Sequence, residues 1–184
     1  MSLEIEEQTM DIGGLAMMEQ ASNNQHLVPR TMVLGLGNPI LTDDGVGIHV
    51  VRAAASRYSL CTGVVFAEAS VGGLRLLDLL AGYDRVILVD AIQTRDGQPG
   101  MIYRVGPGDL QASLHSGSTH DLSLPAALDL GRRLGMKLPS DRDLTILAVE
   151  VEDVLTLGET CTPAVTRAIP DAVEATLAEL KDWQ

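Results

Sequence analysis

From Thr31 onward the chain alternates between short apolar runs and longer stretches with helical spacing. TMVLGLG (31–37) is apolar and ends in glycine, which suits a buried strand, and GVGIHVVRAAASRY (45–58) repeats its apolar residues at the 3.6-residue period of a helix. GVVFAEA (63–69) reads as a second strand and GGLRLLDLLAGY (72–83) as a helix closed by glycine. DRVILVDAI (84–92) gives the clearest strand signal, with an uncharged, β-branched centre of the kind found where both faces of a sheet are covered. GMIYRVG (100–106) and LTILAVEVE (144–152) read as strands, DLSLPAALDLGRRLG (121–135) and TPAVTRAIPDAVEATLAELKDW (162–183) as helices. Thr162 before Pro163 is a favourable N-cap and first-turn pair.

Such alternation predicts an α/β fold of three layers, α/β/α, around a mostly parallel sheet of about five strands. The turn RDGQPG (95–100) predicts that 100–106 runs antiparallel, which makes the sheet mixed. In sheets of this kind, ligand-binding residues gather beyond the carboxyl ends of the strands. Residues 31–184 read as a single domain without internal repeats. Residues 1–30 are acidic, rich in glutamine and methionine and weakly periodic, and LVPR (27–30) resembles an engineered protease site, so this extension stands outside the fold argument.

Composition narrows the classes. Hydrophobic residues make up 46% and charged ones 21%, which excludes disorder as the reading of the whole chain, while an aromatic share of 3% leaves the core to aliphatic residues. A formal charge of −12 disfavours a nucleic-acid partner, whose phosphates attract Lys and Arg. Cys61 and Cys161 stand far apart with no C-x-x-C spacing, and they read as ordinary thiols of a reducing compartment. No apolar run approaches the ~18 residues of a membrane span, and no basic-then-apolar leader pattern opens the chain. The expectation is a cytoplasmic monomer with no membrane partner.

Candidate chemistry concentrates in GLGNPILTDDGVG (35–47). A dinucleotide fingerprint requires a third glycine where Ile40 stands, and a Walker loop requires a Gly-Lys-Ser/Thr step that is absent. Two aspartates would moreover repel a phosphate. Asp44 before a helix, Asp90 at the end of a central strand and the histidines of HSGSTHDL (115–122) together form an oxygen/nitrogen donor set suited to nickel or zinc. Three protein ligands would leave positions open for water or substrate. Ordinary readings stand beside this one. Asp43 or Asp44 caps the helix, Asp90 serves a turn, His120 starts a helix and His49 is structural.

Taken in order, these segments resemble the maturation endopeptidases of nickel–iron hydrogenases over residues 31–180. VLGLGNPILTDDGVG (33–47) is similar to the family's N-terminal signature, DRVILVDAI followed by GQPGMIYR to its central strand and the next, and STHDLSLPAAL (118–128) to its histidine segment. The resemblance implies a metal-dependent, aspartic-type hydrolase that cuts a C-terminal extension from the hydrogenase large-subunit precursor once nickel is inserted. It places the metal-contacting residues at Asp44, Asp90 and His120. The nickel would arrive with the precursor, and zinc or cadmium would be accepted by the same donors. Glu68 in EASVGG (68–73) is the candidate assisting carboxylate, although the family often shows an acidic residue directly followed by Gly-Gly; Asp43 is the alternative. Two other readings remain: a non-catalytic nickel-binding accessory protein, and a peptidyl-tRNA hydrolase, which also opens on GLGNP but continues through a tyrosine and a Thr-Arg-His-Asn step not found here.

Overall fold

The computed structural model describes residues 29–58, 63–109 and 124–183. Five strands, β1 (Thr31–Leu36), β2 (Val64–Ala69), β3 (Arg85–Ile92), β4 (Ile102–Val105) and β5 (Leu144–Glu150), form one sheet in the order β2-β1-β3-β5-β4. All neighbouring pairs are parallel except β4 with β5, which is antiparallel, as the turn at 95–100 predicts. The described helices are α1 (Val46–Arg57), α2 (Leu74–Leu80), α3 (Leu124–Arg133) and α4 (Pro163–Asp182). None of them is long and apolar enough to cross a membrane.

Period-2 alternation along the strands splits the core between two faces. Met32, Leu34, Val86, Leu88, Leu144 and Ile146 point to one side, where Leu76, Leu77 and Leu80 of α2 and Leu128 of α3 cover them. Val33, Ile87, Val89, Leu147 and Val149 point to the other, under Val46, Val50 and Val51 of α1 and Val165, Val173 and Leu180 of α4. The three layers are thus α2 with α3, the sheet, and α1 with α4. Burying each aliphatic side chain contributes roughly 1.5–3 kcal/mol, so a core almost free of aromatic rings still suffices.

The sheet order also fixes where a ligand can sit. β1 is followed by a crossover to β2 on one flank, whereas β3 leads toward β5 and β4 on the other. The chain therefore leaves adjacent strands β1 and β3 in opposite directions, and the crevice beyond their carboxyl ends is the topological switch point of the sheet.

Candidate active site

β1 ends at Leu36 and the backbone turns at Gly37, whose φ of 131° lies in the region that favours glycine. A Cβ there would lie 1.8 Å from the Asp44 carbonyl oxygen. Gly47, in the first turn of α1, sits so close to the sheet that a Cβ would come within 2.3 Å of the Val89 oxygen and 2.4 Å of the Leu36 oxygen. These glycines seat the start of α1 directly on the ends of β1 and β3. Close backbone packing, and not phosphate binding, is their purpose.

That seating brings Asp44 beside Asp90. Asn38 N donates to Asp44 Oδ2 at 2.7 Å, and Asn38 Oδ1 in turn accepts from Ile40 N at 3.2 Å, so one residue both holds the carboxylate and shapes the loop. Asp90 is part-buried at the end of β3 and accepts from Ala91 N at 2.9 Å. Burial pushes its carboxyl up to about 7; the Ala91 amide opposes the shift, and the neighbouring charge of Asp44 adds to it. A carboxyl with one amide donor and an anion for a neighbour is short of positive charge, which a proton or a cation supplies.

Neither aspartate caps α1: the N-cap residue is Gly45, and no side chain bonds there. Asp43 is fully buried. Its Oδ1 accepts from Thr162 N at 2.6 Å, and its Oδ2 from Thr162 Oγ1 and Asp153 N at 3.1 Å each and Glu152 N at 3.3 Å. With that many donors it clamps the loops of residues 42–44, 152–153 and 162 together. Thr162 does precede α4 with Pro163 behind it, yet its hydroxyl does not cap the helix. The charge-assisted bond to Asp43 is the stronger alternative.

Glu68, at the end of β2, is held by both arms of a guanidinium: Arg52 Nε and Nη2 each lie 2.8 Å from its oxygens. Those hydrogen bonds hold its carboxyl below the usual range, so it is a weak proton acceptor. Ser70, next along, donates through Oγ to the Gly37 carbonyl at 2.7 Å and pins the turn from the second strand. Neither Arg52 nor Ser70 stands out in the sequence, because their partners lie 16 and 33 positions away with no periodic signal. Cys161 is buried, and burial together with the charge of Asp43 pushes its thiol up to about 11, far from a reactive thiolate.

Two of the three expected metal-contacting residues are therefore neighbours at the switch point. His120, like His115 and Cys61, lies outside the described residues. Among the described residues no group of three or more His, Cys, Asp or Glu side chains is placed to hold a metal ion. The chemistry of the pair nonetheless fits a divalent cation, since hard oxygen donors with uncompensated charge are what such an ion requires.

Comparison with known proteins adds an independent line. The family model described as hydrogenase maturation protease matches residues 48–179. The hydrogenase 2 maturation protease of Escherichia coli (strain K12) is 32% identical over 154 residues, covering 83% of this chain and 92% of the relative. The hydrogenase expression/formation protein HupD of Rhizobium leguminosarum bv. viciae is 27% identical over 157 residues, 84% of this chain and 76% of that one. Among solved structures, the hydrogenase maturating endopeptidase HybD from E. coli superposes with a TM-score of 0.68 at 34% identity, covering 83% of this chain and 93% of its own.

Proposed function

The chain belongs to the hydrogenase maturation protease family, and from that premise we propose that it removes a C-terminal extension from a nickel-loaded [NiFe]-hydrogenase large-subunit precursor. One observation carries the reading beyond the family: Asp44 and Asp90 meet at the switch point of the sheet, where burial and like charge hold Asp90 at about 7. Such a pair is poised to receive a cation delivered from outside.

In this reading Asp44, Asp90 and His120 contact the nickel that the precursor already holds, and so sense that loading is complete. A bound ion of this kind polarises a carbonyl or lowers the pKa of water toward ~7. The rest falls to the chain's own groups. Asn38 N fixes the direction of Asp44, and Ala91 N fixes Asp90. Arg52 orients Glu68, and in this reading the bonds it makes favour a positioning role for Glu68 over proton transfer. The buried Cys161 thiol supports hydrolysis without a covalent thioester. We take residues 31–184 as the peptidase domain, acting as a cytoplasmic monomer, with zinc or cadmium as substitutes for nickel at the same donors. Family membership removes the peptidyl-tRNA hydrolase alternative.

The test is the mass of a nickel-loaded precursor before and after incubation. Loss of a C-terminal peptide only with nickel present and His120 intact supports the proposal. Cleavage of nickel-free precursor would sink the sensing role and keep the peptidase. No cleavage of a verified cognate precursor by the folded chain would favour a non-catalytic nickel-binding accessory protein.

A further inference from the structure

The loop that carries Asp44 does not end at the crevice. Residues 40–42 pair with 156–158: Gly158 N donates to Ile40 O at 3.0 Å, Thr42 N to Thr156 O at 3.0 Å, and Thr42 Oγ1 to the same oxygen at 2.7 Å. An isolated antiparallel bridge joins Leu41 to Leu157. Asp153 Oδ1 accepts from Leu155 N and Thr156 N and holds the bend that leads into this ribbon.

The ribbon is apolar where water meets it. Leu155 is 87% exposed, Leu157 76% and Ile40 54%. An ordered loop that spends hydrogen bonds to hold three large aliphatic side chains in water marks an interaction site rather than a stray surface residue. Exposed Glu152 and Glu159 lie on either side of the leucines in sequence. The ribbon is also joined to the catalytic candidates through Asn38, which bonds to both Ile40 and Asp44.

We propose that the ribbon of residues 40–42 and 155–158 is the docking ridge for the precursor polypeptide flanking the scissile bond, and that it receives an apolar segment bordered by positive charge. This rests on the peptidase reading, because the occupant is the substrate itself. Apolar side chains of the substrate cover Ile40, Leu155 and Leu157, and basic neighbours face Glu152 and Glu159. Docking there brings the adjoining bond toward Asp44 and Asp90.

The test uses the full chain and the nickel-loaded large-subunit precursor. A Leu155→Ser/Leu157→Ser double variant should raise KM by about tenfold, the effect of losing an interface anchor, with kcat within about twofold of the parent. Glu152→Lys with Glu159→Lys should raise KM by a smaller factor, more at low salt than at high. Leu134→Ser, at another exposed leucine remote in sequence from the ribbon, should leave both constants unchanged. Thermal melts and circular dichroism confirm that each variant is folded, and Leu155→Ala replaces the double variant if it is not. Unchanged KM in a folded ridge variant overturns the proposal. So does a dimer in light scattering that the double variant dissociates, because the ridge would then cover a second copy of this chain. If the parent cleaves nothing, calorimetry with the same precursor separates the two ideas: binding lost in the ridge variants keeps the docking surface without the peptidase, and no binding by the parent overturns both.

Discussion

Asp43 and Asp90 are both carboxylates drawn into the protein at the same end of the sheet, yet they are solvated in opposite ways. Asp43 is surrounded by donors from Glu152, Asp153 and Thr162, so its charge is stabilised by the fold and its role is to hold loops together. Asp90 has the Ala91 amide and the charge of Asp44 nearby, and its carboxyl is pushed up to about 7. The lesson is that burial alone does not identify a functional acid. What separates the two is the supply of donors: where it is complete the residue is structural, and where it is short the residue awaits something.

The sharpest way to test that contrast is to neutralise Asp90. Asp90→Asn, and separately Asp44→Asn, should lower precursor cleavage by at least about 10²-fold, the scale of a lost acid–base or metal-contacting group. The same change at Asp90 should stabilise the metal-free chain. Its folded value lies above the ordinary 3.8, so the folded state keeps a proton that the unfolded state releases, and stability is lost as pH rises through about 7. Urea unfolding should therefore show Asp90→Asn more stable than the parent at pH 8, by on the order of 1–2 kcal/mol, with the gap closing near pH 4. A variant equally stable at both pH values would break the contrast.

Asp43 should behave in the opposite sense. Asp43→Ala strands buried amide donors and should cost about 3 kcal/mol in the same urea experiment, with cleavage falling because the Asp44 loop loosens. Glu179 offers a calibrating case between the two. It is buried beside Thr145 and bridged by Arg104 at 2.7 Å, and the Arg104 hydrogen bonds hold its carboxyl below the usual range. Its contribution is present above the unfolded value and is lost as pH falls through the folded one. Because Arg104 is largely exposed, solvent screening should keep the cost of Glu179→Gln to about 1 kcal/mol at pH 7, and to less in acid. The smallest effect should come from Glu68→Gln, whose exposed partnership with Arg52 should leave the melting temperature unchanged. A large fall in kcat there would return Glu68 to proton transfer.

The fold was legible wherever a local period or a turn governs it. VILV at 86–89 and the apolar residues of LTILAVE can only be shielded on both faces, and they are the central strands β3 and β5. The last helix was readable even across Pro170, which α4 accommodates. Boundaries shifted where glycine intervenes: the helix expected over 72–83 begins at Leu74 after Gly73, with φ of 58°, and closes before Gly82, with φ of 83°. Strand order places Asp44 and Asp90 together, because Asp44 follows β1 and Asp90 lies near the carboxyl end of β3, the two strands that flank the switch point. The clamp was not legible. Thr162 is 119 positions from Asp43, and in the sequence it shows only the character of a helix cap. Bonds between distant loops leave no periodic trace in the chain that makes them.

The Asp43–Thr162 bond also has a consequence for time. During synthesis the loop with Asp43 and Asp44 emerges first, and its fastenings to Glu152, Asp153, Thr156 and Thr162 wait for a segment 109 to 119 residues later. Contacts of such separation form late, since a long loop must close before they repay its entropy. A nascent or truncated chain ending before residue 152 would lack every one of these fastenings. Assembly of the Asp44 loop is thereby tied to late, long-range contacts, an order of events written into the sequence separation of the two loops.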